Sequence, residues 1–539
     1  MGLMTKFGPP GTGKTTYLAR QIKRAVERFG PGKVLVASLT TTAAHEIASR
    51  DIPVDKHNVG TLHALCYRAL GCPTIFETKL TEFNAATGHN LTQGAKVTLD
   101  DKPETPMGDG DDDRLGRLSM FRLSLKPDEE MPLDLVPLHD SIEAYKETYN
   151  LIDFTDMILR ALDEIPVHPA DPAAIFYDEA QDGSVAELAL IRQWGLAADH
   201  CIVCGDDDQT LYSWRGASVE GFLNFTDNTQ VLSTTYRLPV QVWGYAEKWV
   251  QQIAVRVPKN YKPQEGAPDG LVSTCAASLG SCGVIVNHIK ENPDSTVMIL
   301  ASCGYMLTNV MKTLRNHAIP FHNPFRESRG DWNPLKRGGK KTTATDRVLA
   351  FMKGSIKHDE PEPWNWEDVH AWVAPLAADS LRRGGKKAIA DRAKLTPQLV
   401  ADPTVLDQLI GAEATEAAEE GDLVWYLENT LKTKAKALGF AIAVAERHGV
   451  AALAAEPKVI VSTIHGVKGG EADDVFLFPD LSAKGWQQYV NVGSRDPIYR
   501  MFYVGITRSK GKVFLCRKKG TAVKWLPIDR KVESNEEPF

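Results

Sequence analysis

The 539-residue sequence predicts an α/β fold with parallel sheets. Three observations carry that prediction. A short apolar run leads into Gly8-Pro9-Pro10-Gly11-Thr12-Gly13-Lys14-Thr15, and a helical pattern follows from Thr16. The run Ala173-Ala174-Ile175-Phe176-Tyr177 ends on Asp178-Glu179-Ala180-Gln181-Asp182. A third run, His200-Cys201-Ile202-Val203-Cys204, ends on Gly205-Asp206-Asp207-Asp208-Gln209. Unbroken apolar runs of this length suit parallel strands buried on both faces, and ligands of open α/β sheets collect at the C-terminal strand ends, where these polar segments stand.

The first element matches the phosphate-cradling pattern G-x-x-x-x-G-K-[ST] between strand and helix. Its glycines let successive backbone N–H groups turn inward around a β-phosphate, while Lys14 bridges β- and γ-oxygens and the Thr15 hydroxyl ligates Mg²⁺. The helix from Thr16 adds its positive N-terminal end. The residues from Gly8 to Thr16 are therefore expected to bind a nucleoside triphosphate, with ATP and Mg²⁺ as cofactors. In the second element, Asp178 is expected to hold the Mg²⁺ shell and Glu179 to orient or deprotonate the attacking water.

The third element continues through Thr210-Leu211-Tyr212-Ser213-Trp214-Arg215-Gly216-Ala217. With the first two it resembles the UvrD/PcrA/Rep family of superfamily-one helicases. Further matches follow in the family's order: Gly60-Thr61-Leu62-His63, Leu232-Ser233-Thr234-Thr235-Tyr236-Arg237, the segment from Val459 to Glu471 and the segment from Phe502 to Ser509. The resemblance implies two RecA-like P-loop domains, each interrupted by a mainly helical insertion. It implies that Gln209 senses the γ-phosphate, that Arg237 and Arg508 stabilise transition-state charge, that Tyr236 stacks on the base and that Glu471 accepts from the ribose. It places Thr40, Thr61, His63, Trp214, Arg215, Thr463 and His465 on single-stranded DNA. It also implies 3′ to 5′ movement with unwinding at a single-strand/duplex junction.

The sequence departs from the family at Leu39, where an aromatic is common, and near Thr42, where a basic or amide side chain is usual. Only seven residues precede Gly8, so the upstream Gln that reads adenine in the family has no counterpart. Either Tyr236 suffices and other bases are tolerated, or the start lies upstream. The Gly-Pro-Pro-Gly loop is commoner in other branches of the superfamily, some acting on RNA. Alternatives to an unwinding motor are a translocase that strips proteins, an RNA motor and a non-hydrolysing DNA-binding scaffold. The presence of Glu179, Gln209, Arg237 and Arg508 argues against the last.

The motifs pause at positions that suggest boundaries. Residues 1–70 and 141–265 are assigned to the first RecA-like domain, 71–140 to its insertion, 266–334 and 456–530 to the second RecA-like domain, 335–455 to its insertion and 531–539 to a tail. Composition excludes a global basic field, because 62 Lys and Arg stand against 69 Asp and Glu for a net charge of -7. Grip on a single strand then falls to aromatic stacking and local basic grooves. The eight cysteines have no zinc spacing and read as reduced. No apolar stretch is long enough to span a membrane, no signal-peptide region opens the chain, and Lys6 stands where myristoylation wants Ser or Thr. The expected place is the cytoplasm, as a monomer or weak dimer with a possible loading protein. The acidic run Asp109 to Asp113 fails as a calcium loop, since Arg114 replaces the turn glycine. A basic repeat, Lys336 to Lys341 echoed by Arg382 to Lys387, suggests backbone contact with duplex. No nuclease signature follows Arg508.

Overall fold

The computed structural model describes residues 2–38, 54–92, 111–326, 330–339, 341–358 and 360–527. The chain divides into two compact units, the first made of Met1–Cys275, Ala301–Tyr305 and Lys468–Phe539, the second of Ala276–Leu300 and Met306–Val467. It is an α/β protein with parallel sheets, as the apolar runs require.

The first unit is organised by a sheet of β1 (Leu3–Phe7), β2 (Val34–Ser38), β3 (Val59–Thr61), β4 (Ala174–Asp178), β5 (His200–Gly205) and β6 (Thr229–Val231). They lie in the order β3-β2-β4-β5-β1-β6, all parallel. Side chains alternate between faces. Val34, Val36, Ala174 and Phe176 meet Leu18, Ile22, Ala25 and Val26 of the helix Lys14–Phe29. Leu35, Ala37, Ile175, Tyr177, Cys201 and Val203 turn the other way, toward Leu65, Ile158, Leu188, Ile191 and Trp194. Helices on both faces leave no wet side, so β4 is buried throughout. The C-terminal ends of β1, β4 and β5 share one edge, which gathers the three polar segments.

The same unit contains three further parallel strands, Ala472–Leu477 beside Ser509–Leu515 beside Leu271–Thr274. The helix Asp496–Ile506 is buried from Ile498 to Ile506 and packs on Val240–Val250, with Trp249 Nε1 donating to Tyr499 O at 2.9 Å. In the second unit Phe321–His322 pairs in parallel with Val459–Thr463. Residues 344–448 there are mainly helical, around a core in which Phe351 stacks on Tyr426 at 4.3 Å and meets Trp372 edge-on. One lysine of the second basic repeat is spent on structure: Lys386 donates to the carbonyls of Ala374, at 3.3 Å, and Leu376, beyond the helix Trp366–Val373. It is thus unlike the free phosphate-binding cation its sequence suggests.

Residues 111–164 are tied to one another by a buried ion network. The Lys146 ammonium lies 2.7 Å from Glu143, 2.9 Å from Asp153 and 2.6 Å from Asp156, and Arg122 reaches the same two aspartates. The three carboxylates are close enough to hold a metal ion, but Lys146 already supplies the cation. Burial opposes the charge on Asp156, yet Lys146 and Arg122 outweigh it and hold its carboxyl below the usual value. Its contribution to stability is therefore complete above the unfolded pKa near 3.9 and is lost as pH falls through the lower folded value. Lys146→Met leaves two buried carboxylates without their main partner and is expected to cost about 3–5 kcal/mol in urea unfolding at neutral pH. The cost should shrink at acid pH.

Candidate functional site

The phosphate loop is held open by its own backbone. Gly8 N–H donates to Gly205 O at 2.8 Å, and the Thr12 hydroxyl donates to Pro9 O at 2.7 Å. Gly11 and Gly13 take φ of 70° and 75°, which L side chains rarely adopt. The helix starts at Lys14, two residues before the expected Thr16, because Gly13 serves as its N-cap. Lys14 Nζ donates to Gly8 O at 2.8 Å, and a Cβ at Gly8 would lie 1.9 Å from Lys14 Cγ. A Cβ at Gly11 would lie 2.4 Å from Arg237 Cβ. Both glycines therefore mark close approach. The segment after β6 closes over the loop: the Thr235 hydroxyl donates to Pro10 O at 2.8 Å and Tyr236 N–H donates to Gly11 O at 2.9 Å. The Tyr236 ring is left 66% exposed beside the loop.

At the end of β4, Asp178 is buried and its Oδ1 accepts from Glu179 N at 3.0 Å. Glu179 takes a left-handed φ of 56°, unusual for a side-chain-bearing residue, which turns its carboxylate off the strand line. That carboxylate accepts from Gln181 Nε2 at 2.7 Å and lies 3.0 Å from Lys468 Nζ. Lys468 also pairs with buried Asp182. Burial works against the Glu179 charge, but Lys468 and Lys14 overcome it and hold the carboxyl down at about 2. Lys468 was not singled out in the sequence. The signal available was a lysine three residues before Glu471 in an otherwise matched segment.

Gln209 follows β5 in a buried turn. Its Nε2 donates to Asp206 Oδ2 at 2.7 Å, and its Oε1 accepts from Arg508 Nη2 at 2.9 Å. Arg508 is 2% exposed, and its remaining bonds go to Val504 O at 3.0 Å, Gly470 O at 3.2 Å and the Thr507 hydroxyl at 3.5 Å. Among the described residues no carboxylate pairs with it. Burial, and then the like charge of Arg237, push its pKa down to about 9, so the guanidinium remains a cation at neutral pH. Arg237 Nε donates to Glu471 Oε2 at 2.8 Å, so in this state Glu471 serves an ion pair. Lys14, Glu179, Gln209, Arg237, Glu471 and Arg508, separated by up to 494 positions in the sequence, belong to one compact unit.

The residues expected on the nucleic-acid side are more dispersed. The Thr61 hydroxyl accepts from Ala64 N at 3.2 Å and caps the helix Leu62–Ala69. His63 is partly exposed, 3.8 Å from Glu187, and burial lowers its pKa. Arg215 is exposed, with its guanidinium 5.9 Å from the Tyr212 ring centre. Thr463 and His465 belong to the second unit, where Thr463 Oγ1 accepts from Gly466 N at 3.2 Å. Thr40 and the Trp214 side chain lie outside the described residues.

Two family models match the chain: an AAA domain over residues 2–215 and a UvrD-like helicase C-terminal domain over residues 458–516. Among curated proteins it is 22% identical over 348 residues to a probable DNA helicase II homolog of Mycoplasma capricolum, covering 58% of this chain and 48% of that one. It is 25% identical to the DNA helicase II of Escherichia coli, with 55% and 45% covered. It is 24% identical to the ATP-dependent DNA helicase PcrA of Leuconostoc citreum, with 48% and 38% covered. The chain thus spans less than half the length of each of these relatives.

If the loop glycines act through close approach, Gly8→Ala must displace Lys14. It is expected to weaken binding of a magnesium-free nucleoside triphosphate by about tenfold or more in calorimetry.

Proposed function

We propose that this chain, UvrD/PcrA-like of superfamily one through its two matched segments, is an ATP-driven motor that moves 3′ to 5′ along single-stranded DNA and separates duplex ahead of it. The observation that carries the hydrolytic half is Arg508, a buried guanidinium that among the described residues faces only uncharged acceptors. A buried cation without an anion is costly, and a γ-phosphate entering the loop would supply that anion. An arginine so placed contributes roughly a factor of 10³ to 10⁵ in phosphoryl-transfer rate.

The roles follow from position. Gly8 to Thr16 hold the phosphates, and exposed Tyr236 offers a face for the base. Glu471 exchanges its pair with Arg237 for the ribose hydroxyls, which frees Arg237 to join Arg508 on the γ-phosphate. Glu179, kept ionised, orients or deprotonates the attacking water. Thr15 and Asp178 present a hydroxyl and a carboxylate at one sheet edge, a hard oxygen set that suits Mg²⁺, which would neutralise β- and γ-oxygens there. Thr40, Thr61, His63, Trp214 and Arg215 on the first unit, and Thr463 and His465 on the second, are proposed to hold the strand. The domain boundaries given above are proposed with them. The DNA named for the relatives and the polarity implied by the resemblance support the choice of track.

Hydrolysis of ATP is expected to rise at least about tenfold with single-stranded DNA and far less with RNA of the same sequence. The reverse order would overturn the DNA reading. Lys14→Ala should abolish turnover, whereas Arg508→Ala should keep nucleotide binding and lose kcat. Duplexes carrying 3′ or 5′ tails decide polarity. The Glu179 pair sets a pH dependence. Its carboxyl titrates at about 2 in the free chain, so kcat/KM should stay flat on the acid side down to the limit of folding. Lys468→Met removes the largest charge favouring ionisation and leaves burial to dominate, so the acid limb should move to higher pH.

A further inference from the structure

We infer that Lys259 is a positioning residue for hydrolysis: its buried ammonium anchors the Asp206 carboxylate, which fixes the amide of Gln209 and so the seat of the Arg508 guanidinium. The inference rests on the ATP-hydrolysing reading above. It concerns a residue outside every segment singled out in the sequence.

Three consecutive aspartates, Asp206, Asp207 and Asp208, are all buried in the turn after β5. Three adjacent buried carboxylates remain charged only if cations are built around them. Arg256 takes Asp208 with two bonds, at 2.8 and 2.7 Å, and Arg500 Nε donates to the backbone carbonyl of Asp207 at 2.8 Å. Lys259, with 1% of its side chain exposed, lies 3.2 Å from Asp206, 2.6 Å from Asp207 and 2.6 Å from Asp208. Among the described residues it is the cation that pairs with Asp206.

A single chain of bonds then runs from Lys259 to Asp206, from Asp206 to Gln209 Nε2 at 2.7 Å, and from Gln209 Oε1 to Arg508 Nη2 at 2.9 Å. Its polarity is fixed at both ends. A carboxylate accepts only and a guanidinium donates only, so a flipped amide would set oxygen against Asp206 and NH₂ against Arg508. Without Lys259, Asp206 loses the cation that anchors its carboxylate. The Gln209 amide then loses the fixed acceptor that sets its orientation, is free to turn over, and Arg508 loses its acceptor. Lys259 itself is several bonds from any phosphate position and acts through Asp206 and Gln209.

The test is Lys259→Met in the full chain, measured as DNA-stimulated ATP hydrolysis. The expected result is a fall in kcat of about 10- to 100-fold with KM for ATP within about threefold, largely restored in Lys259→Arg. In a Gln209→Ala background the same substitution should cost less than about a further twofold, because the amide it positions is gone. A folded Lys259→Met chain with unchanged kcat, or losses that multiply in that background, would overturn the inference. Where Lys259→Met does not fold, Asp206→Asn decides, since it keeps the shape and removes the charge: a comparable kcat loss supports the inference and unchanged kcat overturns it. Absence of hydrolysis in the unsubstituted chain overturns the motor reading together with this inference, whereas hydrolysis indifferent to Lys259 overturns the inference alone.

Discussion

A buried guanidinium that has no carboxylate partner among the described residues is the constraint on which the rest of the site depends. Arg508 is kept in this condition by three protein carbonyls and one hydroxyl, while Arg237 nearby adds repulsion. Satisfying the same cation with Asp or Glu would lower its energy and also remove its reason to bind an incoming anion. The neighbouring acids are instead occupied elsewhere: Glu179 and Asp182 by Lys468, Glu471 by Arg237, and Asp206 to Asp208 by Lys259 and Arg256. Each pairing withholds a carboxylate from Arg508. The site is thus an arrangement of charges in which one positive group has been left over by design of the packing.

The first sheet makes this arrangement possible. Its order brings the ends of β1, β4 and β5 side by side, so that the phosphate loop, the Asp178-Glu179 pair and the aspartate turn open on one edge. Burial of both sheet faces fixes the strand ends with little freedom. The left-handed backbone at Glu179 then breaks the strand alternation just after Asp178, the last residue of β4. Asp178 remains along the strand axis, and Glu179 turns toward Lys468.

Much of this was legible in the sequence because the relevant groups are local. The loop glycines, Lys14 and Thr15 fall within eight residues, and apolar runs on both sides of Asp178 and Gly205 announce buried strands. Lys468, Asp182 and Lys259 were not legible, because their partners lie 286 positions away for Lys468 and about 50 for Lys259, and a lone lysine carries no sign of its ion pair. Lys386 was misleading for a related reason. Sequence reports that Lys386 is charged, but only the fold reveals that helix-end carbonyls consume its donors. Glu471 stands between these cases, picked out in the sequence and found paired with Arg237.

The bond from Lys14 to the Gly8 carbonyl has a consequence for how a ligand arrives. The ammonium is already coordinated by an oxygen of its own loop, and no side chain at position 8 could leave room for that posture. Ligand entry is therefore an exchange of one acceptor for a stronger one, without a bare charge at any stage. The loop thus carries an internal placeholder for its ammonium, which an anion bound there has to displace.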